Sequence, residues 1–212
     1  GNRDVGMLVG SVGTTVTASD VVIENTQSEA DGIGGRGIQV SDSATLTLFR
    51  ALVSGNREMG MFVSGVGTTV TASDVVIENT KVAACAEDPL LECPFIGGGF
   101  GDGMLVLGGA DISLENFTLQ DNARVALYLY DGSGLADEDS IANGAPTISA
   151  QNGSVMENQY GINIRGDSVT PSERTPLRSR NQMSRPTVTT DLAAMQPYER
   201  LNSSKVVSAR LP

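Results

Sequence analysis

The sequence has no histidine and no tryptophan, two cysteines in 212 residues, and aromatics at only 4%. Without histidine there is no Ser-His-Asp triad, and the commonest general base and metal ligand are missing. Two thiols without a third or fourth ligand make no structural zinc site. So few aromatics suit thin, repetitive layers of Val, Ile, Leu and Ala better than a bulky globular centre. No run of 18 apolar residues occurs, so no membrane-spanning helix is expected. No charged-then-apolar leader opens the chain, so any signal or anchor is expected to be missing from this sequence. Basic residues are few: the net charge is −11, which argues against nucleic acid as a partner. The glycine-rich GGGFGDG at 97–103 lacks the lysine of a phosphate-binding loop and opens no helix.

What the chain does contain is a repeat. Residues 2–26 recur at 56–80 with 20 of 25 positions identical. Weaker copies occupy 36–56, 103–122 and 145–158, and 160–164 starts a last one. A unit of 20–25 residues lies in the range of solenoid coils. Within each unit apolar and polar residues alternate in three short runs, the signature of strands. Aligned copies predict four inward columns. They run Val16, Leu46, Val70, Ile112, Ile148; Ala18, Leu48, Ala72, Leu114, Ala150; Ile23, Val53, Ile77, Leu119, Val155; and Met7, Ile38, Met61, Met104, Leu127, Ile162. Stacked strands would place like residues about 4.8 Å apart, so about six coils would span on the order of 30 Å.

At the corner after the third run stand Thr26, Asn56, Thr80, Asn122 and Asn158. Hydroxyl or amide side chains at a bend can satisfy backbone groups that the turn leaves unpaired. This column resembles the asparagine ladder of right-handed parallel β-helices, the pectate-lyase-like superfamily, and in particular its bacterial secreted or surface repeat proteins. The resemblance covers residues 2–164 and implies an all-β, single-stranded, right-handed parallel β-helix. General crossover handedness agrees.

Residues 1–167 are accordingly expected to form the β-helix, with loop insertions at 27–35, 81–102 and 131–145. Insertions in solenoids often build the binding face. The first two follow the same corner and should be neighbours. Cys85 and Cys93 both fall in the second; a disulfide would pin that loop and fit an exported protein, two free thiols being the other reading. From residue 168 the periodicity stops. Residues 1–164 carry −15 and residues 165–212 carry +4, so 168–212 reads as an irregular, basic, proline-containing tail, suited to cap or pack on an acidic body. Its expected seat is an outward column unusually apolar for a solvent face: Leu8, Gln39, Phe62, Leu105, Tyr128 and Asn163. That column is also the candidate binding face.

Three other constellations bear on chemistry. Thr15/Thr17, Thr45/Thr47 and Thr69/Thr71, continued by Asp111/Ser113 and Thr147/Ser149, form a Thr-x-Thr array that resembles those of ice-binding proteins. Threonine is also simply a good outward strand residue. Asp20, Arg50 and Asp74 should stack as a charge ladder. Asp131, Asp137, Glu138 and Asp139 offer oxygens to a hard cation such as Ca²⁺, in a spacing that matches no calcium loop. No catalytic residue is assigned. The resemblance implies carbohydrate chemistry as one activity, but its galacturonases use a histidine that this chain lacks. Its lyases use calcium-bound acidic residues with a basic residue, which here leaves Arg3, Arg36, Arg57, Lys81 or Arg124.

The resulting expectation is a non-enzymatic secreted or cell-surface scaffold that binds a glycan or a protein, with no obligate cofactor. A carboxylate-and-arginine polysaccharide lyase or hydrolase is the second reading, and ice binding the third. Open strand edges at the ends predict an end-to-end homodimer unless the tail caps them.

Overall fold

Alternating side chains and αL-tolerant residues at fixed intervals produce a chain that shuttles between two parallel sheets. The computed structural model describes residues 2–30, 32–83, 100–131, 144–165 and 178–179, and every regular element among them is a strand. The first sheet holds short strands in the order β1 (Val5–Val9), β3 (Arg36–Val40), β5 (Met59–Ser64), β7 (Asp102–Leu107), β9 (Val125–Tyr130) and β12 (Tyr160–Arg165). The second holds the ten-residue strands β2 (Thr15–Glu24), β4 (Thr45–Ser54), β6 (Thr69–Glu78) and β8 (Asp111–Gln120). Beyond them, β10 (Thr147–Gln151) and β11 (Ser154–Met156) both pair β8, and β13 (Arg178–Ser179) pairs β11. All pairings are parallel, and from β1 to β8 each strand pairs with the one two further on while β9 pairs β12, an arrangement compatible with a solenoid.

The four inward columns are in register. Val16 pairs Leu46, Leu46 pairs Val70 and Val70 pairs Ile112; the Ala18, Ile23 and Met7 columns run likewise. One continuous apolar cluster results, and stacking branched residues on branched residues keeps it free of polar atoms. A further inward column follows Val21: Ala51, Val75, Phe117 and Gly153. Phe117 is its one large member, and a Cβ on Gly153 would collide with the Phe117 ring. Glycine at 153 makes the room that the ring occupies.

The second and third runs of each unit are a single bent strand rather than two. Asp20, Arg50, Asp74, Asn116 and Asn152 have φ between 50° and 56°. Each lies at the middle of its long strand, or, for Asn152, in the gap between β10 and β11. A left-handed residue there turns the chain without breaking the ladder and resets the alternation, so that Ser19 and Asp20 both face out and Val21 faces in. Asp and Asn tolerate this conformation better than most residues, because their short polar side chains bond locally. A second left-handed column, Asn25, Gly55, Asn79, Asp121 and Glu157, ends the long strands.

The ladder column follows at once. Asn56 Oδ1 accepts from the Thr26 amide at 3.0 Å, Asn122 Oδ1 from the Thr80 amide at 3.2 Å, and Asn158 Oδ1 from the Asn122 amide at 2.9 Å. The Nδ2 atoms of Asn56, Asn122 and Asn158 donate back to the carbonyls of Ile23, Ile77 and Leu119. Where the column carries threonine the side chain is too short to do both, and the buried hydroxyls of Thr26 and Thr80 have no partner.

Candidate functional site

The outer face of the six-stranded sheet carries the predicted outward column in register: Leu8 pairs Gln39, Gln39 pairs Phe62, Phe62 pairs Leu105, Leu105 pairs Tyr128 and Tyr128 pairs Asn163. Exposure along it is uneven. Leu8 is 64% exposed, Asn163 is exposed, and Gln39, Phe62 and Tyr128 are half-buried. Leu105 is only 4% exposed, so the column is not open to solvent along its whole length. It belongs to a second apolar cluster with Met59, Leu107 and Tyr130, against which Phe62, Phe100 and Tyr128 pack. Tyr128 and Tyr130 stack with ring centroids 6.0 Å apart.

Two arginines frame this cluster, and each is held by a buried carboxylate at the strand entrances. Arg36 donates through Nε to Glu58 at 2.9 Å and through Nη1 to the Gln39 Oε1 at 2.8 Å. Its guanidinium lies 4.7 Å over the Phe62 ring. Arg124 pairs through Nε with Asp102 at 2.7 Å and through Nη2 with the other carboxylate oxygen. It lies 4.8 Å over Phe100 and 5.9 Å over Tyr128. Glu58 and Asp102 are 2% and 0% exposed. Burial pushes the Asp102 carboxyl above its ordinary range, against the pull of Arg124 and of the Val125 amide. Cation over ring and guanidinium on carboxylate together fix the arginines as rigid, half-buried edges to the aromatic surface.

Neither Glu58 nor Asp102 stood out in the sequence, because a lone acidic residue reads as solvated. The available signal was a constant interval: Arg36 to Glu58 and Asp102 to Arg124 each span 22 residues, the length of one repeat unit, with opposite charge. Of the other bases near the strands, Arg57 donates to Gln27 at 3.4 Å and to the Val82 carbonyl at 3.2 Å. It thereby joins the bases of the first two loops, which are neighbours there.

The Thr-x-Thr array is in register across β2, β4 and β6, with Thr15, Thr17, Thr47 and Thr71 exposed and Thr45 and Thr69 half-buried. At β8 and β10 its regularity ends: Thr147 donates its hydroxyl to Asp111, beside a shallow hollow lined by Thr69, Asp111, Ile112 and Ile148. In the charge column Arg50 commits to Asp20, with Nε and Nη2 each 2.6 Å from a carboxylate oxygen. It also lies 4.2 Å over Phe49. Arg50 thereby holds the Asp20 carboxyl below its ordinary value, and Asp74 interacts with the guanidinium only through its charge.

Cys85, Cys93, Asp137, Glu138, Asp139 and the tail, apart from Arg178 and Ser179, lie outside the described residues. Asp131 is buried. Among the described residues no group of three or more acidic or cysteine side chains is placed to hold a metal ion, and no helix is long and apolar enough to cross a membrane. No family model, no curated protein and no solved structure matches this chain.

Proposed function

We propose that this chain is a secreted or cell-surface, right-handed parallel β-helix of about six coils, pectate-lyase-like in architecture, that works as a non-enzymatic glycan-binding module. The observation that carries the reading is the framed aromatic strip on the six-stranded sheet. Phe62 and Tyr128 are partly exposed, with the Arg36 guanidinium over the one ring, that of Arg124 over the other, and Gln39 hydrogen-bonded to Arg36 beside them. Flat apolar rings bordered by a few fixed polar donors suit a ligand with both apolar ring faces and hydroxyls, which is the chemistry of a sugar chain. Rigid edges also cost little conformational entropy on binding. Hydrolysis or elimination would need carboxylates that reach the substrate, whereas Glu58 and Asp102 are buried against their arginines.

A panel of neutral and acidic polysaccharides, scored for binding and for turnover with and without calcium, tests this. Binding without turnover, lost in Phe62→Ala and Tyr128→Ala, supports it. Calcium-dependent turnover of an acidic polymer would replace it by a lyase reading centred on the loops, and silence against the whole panel would leave a protein partner in its place.

Ice recognition is favoured by one observation of its own, the in-register threonines of β2, β4 and β6. Its test is inhibition of ice recrystallisation, abolished by Thr47→Lys.

A further inference from the structure

We propose that Asn152 is a site of spontaneous chemical modification. Its side-chain amide is lost to attack by the backbone nitrogen of Gly153, which leaves aspartate or isoaspartate at the bend between β10 and β11. Among the described residues it is the one asparagine followed by glycine. Glycine has no side chain to shield its nitrogen from the neighbouring Cγ. The fold keeps glycine at 153 for a separate reason, since a Cβ there would collide with the Phe117 ring. Packing in the core thus fixes a labile pair at the surface, where Asn152 is exposed to water.

Asn116 is a built-in comparison. It stands beside Asn152 in the same bend column, is also exposed, and has φ 51° against 52°. It is followed by the buried Phe117, and β8 runs unbroken through both residues. In the coils before it the ladder resumes straight after the bend: Val21 pairs Ala51, Ala51 pairs Val75 and Val75 pairs Phe117. On the other side of Phe117 it does not. Gly153 lies outside both strands, and pairing with β8 stops at Gln151 and resumes only at Ser154. Attack on Cγ requires Asn152 to rotate about its Cα–C bond. A peptide plane outside the ladder turns more readily than one bonded within it.

In the reaction the Gly153 nitrogen gives its proton to solvent and bonds to Asn152 Cγ, while the Cγ–Nδ2 bond breaks and Nδ2 leaves as ammonia. Water then opens the cyclic imide. Cleavage of the new bond to Cγ gives aspartate, and cleavage of the original peptide bond gives isoaspartate. The two products differ in effect. Aspartate is already the bend residue at Asp20 and Asp74, with φ 56° and 55°, so it keeps the coil and adds one negative charge. Isoaspartate routes the backbone through Cβ and Cγ. The added methylene shifts β11 against β8 and breaks the 3.1 Å hydroxyl contact between Thr118 and Ser154.

Incubation of the folded full chain in mildly alkaline buffer, followed by peptide mass spectrometry, tests this, with isoaspartyl methyltransferase scoring the second product. Ammonia loss at Asn152 should run more than about tenfold faster than at Asn116 and should yield both acids. The isoaspartate fraction should exchange its Ser154–Met156 amides faster than the unreacted chain, and Asn152→Asp should exchange them no faster. The rate comparison is read on the unaltered chain and depends on no variant folding. Three results would each overturn the inference. They are an Asn152 that stays intact in the folded chain but reacts in the same chain unfolded in urea, equal rates at Asn116 and Asn152 in the folded chain, and loss of β11 protection in Asn152→Asp.

Discussion

Gly60, near the start of β5, shows how little space separates that strand from the end of β6. A Cβ there would collide with Ile77 Cγ2 and sit 2.6 Å from the Gly103 carbonyl, and Gly37 and Gly103 are hemmed in the same way. Gly161, in the last strand of that sheet, would meet nothing closer than Val155 at 3.9 Å. Gly60→Ala is expected to cost about 2 kcal/mol through overpacking and Gly161→Ala close to nothing. Urea denaturation of both variants checks the contrast, and equal costs would refute it. The same scale holds a pH prediction. Asp20 is depressed by its hydrogen bonds from Arg50, so its contribution is present above the ordinary carboxylate pKa and fades as pH falls through its own lowered value. Carboxyl NMR should find Asp20 titrating below the ordinary aspartate value, and Arg50→Gln should bring it back towards that value.

Among the elements, the entrances of β7 and β9 hold the arginine–carboxylate pair with the more deeply buried carboxylate. Asp102 opens β7 with no exposure to water, and Arg124, just before β9, is its counter-ion. Arg124→Met removes that partner, and leaving a buried carboxylate unpaired costs about 3–5 kcal/mol. Replacing both members, as Arg124→Met with Asp102→Leu, should recover most of the loss, because no uncompensated charge remains. Thermal denaturation of the single and double variants decides it; a double variant no better than the single would mean that the pair matters for geometry rather than for charge. How much of the site could be foreseen also divides by element. The outward column from Leu8 to Asn163 followed from copy alignment alone, since a period of two puts every second residue on one face. That Leu105 would be buried within it did not follow, because alternation gives a side chain's direction and says nothing of what packs above it. The bends at Asp20, Arg50 and Asp74 were equally hidden: a polar outward residue looks the same whether its φ is negative or left-handed.

For the whole molecule, order along the stack should appear as a gradient of protection. β4 and β6, each between two ten-residue strands, are expected to exchange their amides slowest and β1 and β2, with one strand partner each among the described residues, fastest, because an edge strand opens without breaking a second ladder. Uniform exchange rates would instead mean all-or-none opening. The sequence by itself determined the parallel stacking, the register of the columns and the asparagine ladder, because near-identical copies repeat the same local choices and like residues fall on like. Only the tertiary structure decided which polar residues are buried, which arginine meets which carboxylate, and which apolar column is covered. Those outcomes depend on contacts between coils 22 to 42 residues apart, where burial and partner are properties of the assembled stack and are carried by no single segment.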